Sequence, residues 1–244
     1  MTKTAIVTGA SGGIGSAIAE KLCEEGFCTS AIYFHSEEKA LALSSVLIGR
    51  GFNAVSIKAD AADPVQVRNA VEQTVKEYGK IDVLVNCAGV SLYKLLQDTT
   101  DEEWDTVMDT NLKGAFNFCR EALPHMIRAG KGRIINISSM WGQTGAAMET
   151  VYSASKAGLI GLTKALAKEV APSGITVNCL APGAVDTEMM ATFSEEEKKA
   201  LCEEIPLGRL ASPREIAETA AFLASDKSSY ITGQVIAVNG GFVI

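Results

Sequence analysis

Tyr152 and Lys156, in the run Tyr152-Ser153-Ala154-Ser155-Lys156, stand one helical turn apart and set a phenol beside an ammonium. A tyrosine with a free pKa of roughly 10 exchanges its proton poorly at neutral pH, and a fixed positive neighbour favours the phenolate and lowers that pKa. Such a tyrosine can serve as a general acid. The same spacing also occurs on ordinary amphipathic helices, so the pair takes its meaning from its surroundings. Near the N-terminus, Lys3-Thr4-Ala5-Ile6-Val7-Thr8 reads as an apolar strand running into Gly9-Ala10-Ser11-Gly12-Gly13-Ile14-Gly15, followed by a helical pattern from Ser16 to Glu25. Glycines let a phosphate approach the main chain, and a helix N-terminus offers unpaired N–H groups and a favourable dipole. A pyrophosphate suits that loop. Its spacing, Thr-Gly-x-x-x-Gly-x-Gly, differs from the Gly-x-Gly-x-x-Gly dinucleotide fingerprint, and the alternative reading is a plain glycine-rich turn.

Both features need a frame to hold them together. Apolar strands are expected near 4–8, 29–34, 53–58, 81–85, 133–138, 175–180 and 234–238, with helical stretches between them. That alternation predicts an α/β fold, a Rossmann-like doubly wound parallel sheet of about seven strands with helices on both faces and ligands beyond the strands' carboxyl ends. With 244 residues, 47% of them hydrophobic, and no linker or repeat, residues 1–244 read as a single domain. There is no leader-like segment and no apolar run of membrane-spanning length, so a cytoplasmic protein without membrane contact is expected. The six cysteines are scattered and the two histidines isolated, which predicts neither a disulfide framework nor a metal site. A net charge of −7 opposes a nucleic-acid role.

From Thr4 to its end the chain resembles the short-chain dehydrogenase/reductase family. The resemblance rests on Thr8 to Gly15, Asp60 in Asp60-Ala61-Ala62-Asp63-Pro64, Asn86-Cys87-Ala88-Gly89, Asn111 after Thr110, Ser139 after Ile134 to Ile137, Tyr152 with Lys156, and Pro182-Gly183 with Thr187. It implies a catalytic tetrad of Asn111, Ser139, Tyr152 and Lys156. Ser139 would donate to the substrate carbonyl oxygen and Tyr152 would supply the proton. Lys156 would lower the tyrosine pKa and hold the nicotinamide ribose, and Asn111 would sustain a water-linked proton path to Lys156. It also implies a cofactor site: Gly9, Ser11, Gly13, Ile14 and Gly15 around the phosphates, Asp60 and Ala61 at the adenine, Asn86, Ala88 and Gly89 along the ribose, and Pro182, Gly183, Val185 and Thr187 toward the carboxamide. An acidic residue at the end of the second strand would bind the ribose 2′-OH of NAD. Phe34 stands there instead, followed by His35, so NADP(H) is favoured over NAD(H), although Gly12 stands where many phosphate-binding relatives carry a basic residue.

Asp101-Glu102-Glu103-Trp104, Phe222-Leu223-Ala224-Ser225-Asp226 and Ile231-Thr232-Gly233 are similar to the 3-oxoacyl-acyl-carrier-protein reductases. That implies a ketone substrate on an acyl carrier protein. The basic residues with which those enzymes dock the carrier would fall near Gly130 and Ser173, neither of them basic, with Arg128 and Lys131 as substitutes. The stretches Ser138 to Gly142, Gly145 to Glu149 and Asn239 to Ile244 are similar to a narrower group, the elongation factor P 5-aminopentanone reductases, which act on a modified translation factor. Trp141, Met148 and Glu149 would then contact substrate. Their alternatives are packing for the first two and a solvated helix-start carboxylate for Glu149. Residues 187–206, with Met189, Met190, Phe193 and the acidic run Glu195 to Glu204, read as a lid or as a surface helix. The resemblance further implies a homotetramer built through the helices holding Asn111 and Tyr152. A catalytically idle dinucleotide sensor or scaffold is the remaining alternative, marked in such relatives by a broken tetrad.

Overall fold

The computed structural model describes residues 2–244 apart from Thr192, and the side chain of Met189 is outside the description. The expected lid contribution of Met189 therefore lies outside the described residues. Seven strands form one sheet: β1 (Thr4–Thr8), β2 (Cys28–Tyr33), β3 (Ala54–Lys58), β4 (Val83–Asn86), β5 (Gly132–Ile137), β6 (Ile175–Pro182) and β7 (Val235–Val238). All pairings are parallel and the order is β3-β2-β1-β4-β5-β6-β7. The helices are α1 (Gly13–Glu24), α2 (Glu37–Gly49), α3 (Pro64–Tyr78), α4 (Asp101–Met108), α5 (Gly114–Ala129), α6 (Trp141–Thr144), α7 (Thr150–Val170), α8 (Glu195–Glu204) and α9 (Pro213–Ala224). No helix among the described residues is long and apolar enough to cross a membrane.

Strands β1, β2, β4 and β6 are buried at every position and β5 at all but one, which is why they read as mainly apolar runs, while the edge strands β3 and β7 are only partly covered. On one face Ile18 and Leu22 of α1 and Ile216 and Leu223 of α9 pack against Val7, Val85 and Leu180. On the other, Val67 and Val71 of α3, Phe118 and Met126 of α5 and Leu166 of α7 cover Ile6, Leu84, Ile134 and Val177. The chain winds outward from β1 to β3, then returns to pair β4 with β1. That reversal opens a crevice at the carboxyl ends of β1 and β4.

Helix boundaries follow local chemistry. Asp63 accepts from the Val65 and Gln66 amides at 2.8 and 3.3 Å and Pro64 opens α3, which Gly79 closes in a left-handed conformation at φ 79°. Capping boxes start α4 (Thr100 with Glu103), α8 (Ser194 with Glu197) and α9 (Ser212 with Glu215). The first helix begins at Gly13 rather than Ser16, so two of the loop glycines lie inside its first turn.

Candidate functional site

The glycine loop is packed against the turn after β4. Gly9 sits at φ 65°, and a Cβ there would lie 2.8 Å from the Ala88 Cα. A Cβ on Gly13 would lie 2.8 Å from the Thr187 Cγ2, and one on Gly15 would strike the Gly9 carbonyl oxygen. The Thr8 hydroxyl oxygen accepts from the Cys87 and Ala88 amides, each at 3.0 Å, and fastens the two turns together. Gly12 caps α1 without a side-chain bond and no acid stands in the first turn. The amides of Gly13, Ile14 and Gly15 are therefore free of intrahelical partners at the positive end of the dipole. Ser11 borders them, partly exposed. This backbone cradle fits the pyrophosphate of a dinucleotide.

Beyond β2, the Phe34 and His35 rings lie 4.3 Å apart at 57°, and no carboxylate occupies position 34. Asp60 accepts from the Ala62 amide at 2.9 Å, and the Ala61 carbonyl accepts from Asn117 at 3.0 Å. Gly183 is closed in by Asn239, 2.8 Å from where a Cβ would stand, and the Pro182 carbonyl accepts from the Met140 amide at 2.9 Å. Val185 is buried and bridges to Ala211. Asn86 is buried at the end of β4. Its side chain turns into the sheet and donates to Asn136 Oδ1 at 2.8 Å, and Asn136 in turn donates to Thr163 at 2.8 Å. The cross-strand Asn136 gives the buried Asn86 amide nitrogen its partner.

Tyr152 and Lys156 occupy the start of α7, beside the carboxyl end of β5. The buried Lys156 ammonium donates to the Ile137 carbonyl at 2.8 Å and lies 5.7 Å from the Tyr152 ring centroid. A Cβ on Gly89 would sit 3.2 Å from both Lys156 Nζ and Asn111 Oδ1, so a side chain there would crowd these two groups. Asn111 lies within a π-helical turn, Asp109–Lys113. Its Oδ1 accepts from the Val90 amide at 2.8 Å, and its Nδ2 donates to the Val90 carbonyl at 2.9 Å and to Ser155 Oγ at 3.0 Å. Ser155 donates to the Tyr152 carbonyl at 2.7 Å and so joins Asn111 to α7. The two serines after β5 separate cleanly. Ser138 donates to the Lys156 carbonyl at 2.9 Å, whereas Ser139 faces Tyr152 and accepts from the Trp141 amide at 3.1 Å.

The electrostatics correct the expectation that Lys156 lowers the tyrosine pKa. Burial pushes the Tyr152 phenol up to about 12, with only the Ser139 hydroxyl pulling it back, and burial also pushes the Lys156 ammonium down. Desolvation penalises charge on both groups, and the ammonium points at Ile137 rather than at the phenol. At neutral pH the phenol thus keeps its proton, which is the state a donor needs.

On the substrate side, Trp141 meets Phe242 edge-on with centroids 5.6 Å apart at 85°. Phe242 was not expected here, since nothing local in the sequence ties it to Trp141. Met148 is the sole non-glycine among the described residues at positive φ, 63°, and its carbonyl accepts from the Lys94 amide at 2.6 Å. Backbone strain of this kind concentrates at binding sites. Glu149 immediately precedes α7. Its half-buried carboxyl is raised by burial and steadied by the Trp141 side chain, and its charge opposes ionisation of Tyr152. The acidic run forms α8 as expected, with no buried side chain. Arg128 and Lys131 do not reach this end of the molecule. They flank Gly130 at the amino end of β5, and Ser173 precedes the amino end of β6. The length of α7, 21 residues or roughly 30 Å, separates Ser173 from Tyr152 in the same chain.

A parallel sheet that reverses beside a glycine cradle, and opens on the crevice where Ser139, Tyr152 and Lys156 meet, is the architecture of the dinucleotide-dependent oxidoreductases. The chain matches the family model described as Enoyl-(Acyl carrier protein) reductase over residues 9–243. It is 47% identical over 241 residues to the 3-oxoacyl-[acyl-carrier-protein] reductase FabG of Staphylococcus aureus, covering 99% of this chain and 98% of the relative. The same-named protein of Chlamydia muridarum is 44% identical over 242 residues (99% and 97% covered), and that of Escherichia coli 42% over 239 residues (98% and 96%). The chain belongs to the short-chain dehydrogenase/reductase family.

Proposed function

We propose that this protein is an NADPH-dependent ketone reductase acting on 3-oxoacyl thioesters borne by an acyl carrier protein. The observation that carries this reading is the convergence of the Ser139 hydroxyl and the Tyr152 phenol beside the buried Lys156. A bound reduced nicotinamide supplies the hydride. Ser139 donates to the carbonyl oxygen, where negative charge grows as the bond to carbon forms, so its hydrogen bond strengthens toward the transition state. Tyr152 delivers the proton to that oxygen. Lys156, held on the Ile137 carbonyl, positions the ribose hydroxyls, and Asn111 fixes the Val90 turn and the Ser155 link from which a water path to Lys156 runs. The names of the relatives support the substrate class, and the intact tetrad speaks against an idle sensor. A homotetramer in the cytoplasm remains part of the proposal, and a second copy is the natural source of any carrier-docking surface, given where Arg128 and Lys131 lie. The direct test is NADPH and NADH consumption with a panel of ketones, including 3-oxoacyl thioesters and an amine-bearing ketone. Turnover of a 3-oxoacyl thioester with NADPH is expected, and no turnover of any ketone would overturn the reading.

NADPH is preferred in this proposal because Phe34 and His35 leave the 2′ position without a carboxylate. Phe34→Asp should place an acceptor for the 2′-OH and a repulsive charge beside a 2′-phosphate, moving the ratio of kcat/KM values toward NADH. An unaltered protein that already prefers NADH would refute the assignment.

Glu149 favours one further possibility for substrate choice, an amine-bearing ketone such as one on a modified translation factor. None of the ion pairs among the described residues involves this half-buried carboxylate. The relatives' names lend that reading no support, so it stands on this residue alone. Glu149→Gln should weaken reduction of an amine-bearing ketone by about 1–3 kcal/mol and leave a neutral ketone nearly unchanged. Equal losses on both would show that Glu149 only supports Trp141 and the start of α7.

A further inference from the structure

Beyond β6 the chain does not simply leave the sheet. Val185 bridges to Ala211, the Asp186 amide donates to the Ala211 carbonyl at 2.8 Å, and these contacts anchor the root of the segment. Thr187 then lies against Gly13 in the phosphate cradle, and Glu188, the next residue, forms an ion pair with Lys39 in the first turn of α2. Helix α2 follows β2, whereas Glu188 follows β6. In the sheet order these strands are four places apart, with β1, β4 and β5 between them. At about 4.8 Å per step that is roughly 19 Å. The segment must therefore turn back over the carboxyl ends of β5, β4 and β1 to reach α2, directly across the crevice where the order reverses. Downstream, α8 has no buried residue, whereas Ile205 is buried and the Leu207 amide donates to the Gly240 carbonyl at 3.1 Å.

We propose that the Lys39–Glu188 pair is the latch of a strap over the dinucleotide crevice, and that its opening sets the rate of cofactor release. The inference rests on the dinucleotide binding proposed above. Lys39 and Glu188 act as positioning residues, since neither needs to touch the reacting atoms. Both side chains are substantially exposed, so the latch is weak and screened by salt, as suits a contact that must open once per turnover.

The test is a stopped-flow displacement of bound NADPH, and separately of NADH, from the unaltered protein, from Lys39→Met, from Glu188→Gln and from the exchanged pair Lys39→Glu/Glu188→Lys. Each single variant should release both cofactors about two- to fivefold faster. The exchanged pair should return toward the original rate. Raising the salt should speed release from the unaltered protein by a larger factor than from Lys39→Met, which keeps only the screening of the cofactor's own phosphates. Equal release rates throughout, or an exchanged pair as fast as the single variants, would overturn the latch. Faster release of NADPH alone would also overturn it and assign Lys39 to the 2′-phosphate. Failure of the unaltered protein to bind either cofactor would instead overturn the functional reading beneath it.

Discussion

Tyr152→Phe is expected to retain NADPH binding and to lower turnover by on the order of 10²–10⁴, the range for a positioned general acid. The substitution removes one oxygen and keeps the ring, so the packing at the start of α7 and the Lys156 contact with Ile137 should persist. What disappears is the proton. Burial holds the phenol at about 12, so it is the protonated donor throughout the neutral range. The sign matters: a tyrosine pKa raised above its free value keeps the acid form available, so the alkaline fall in reduction rate due to this group should come well above neutral pH. Turnover from NADPH consumption, cofactor affinity from nicotinamide fluorescence and the pH profile of reduction check all three points. Near-normal turnover in the variant would remove Tyr152 from the role of donor.

The sheet was legible in the chain because both its faces are covered. Strands such as Thr4–Thr8 and Ile175–Pro182 are buried at every position, so apolar residues dominate each without the alternation of a half-exposed strand. The glycine loop was legible because close backbone approach admits no side chain at Gly9, Gly13 or Gly15. What escaped the sequence depends on partners far along the chain. The π-helical turn at Asn111 is set by bonds to Val90, 21 positions earlier, and to Ser155, 44 later. The inward turn of Asn86 depends on Asn136, its neighbour across β4 and β5. Phe242 reaches Trp141 from the end of the chain. The tyrosine pKa failed for a related reason. Helical spacing reveals the lysine four residues on, but neither its turn toward the Ile137 carbonyl nor the desolvation of the phenol, both of which belong to the assembled site.

Ser139→Ala is expected to lower turnover by roughly 10²–10³, the cost of losing one hydrogen-bond donor to a developing oxyanion, while leaving cofactor affinity intact. The argument lies in which side of the hydroxyl is already engaged. Its oxygen accepts from the Trp141 amide at 3.1 Å, which leaves the O–H to be aimed at an incoming carbonyl oxygen. That bond strengthens as charge builds, so its loss falls on kcat more than on KM. Ser138 provides the internal contrast, because its hydroxyl is committed to the Lys156 carbonyl at 2.9 Å inside the packed end of β5. The Lys156 carbonyl also accepts the helical bond within α7, so Ser138→Ala should cost only the net worth of one hydrogen bond, about 0.5–1.5 kcal/mol of stability, with a smaller effect on turnover. Parallel measurements of thermal unfolding and of NADPH consumption separate the two serines. A larger fall in turnover for Ser138→Ala at unchanged stability would exchange their roles, and near-normal turnover for Ser139→Ala would leave the carbonyl oxygen to Tyr152 alone.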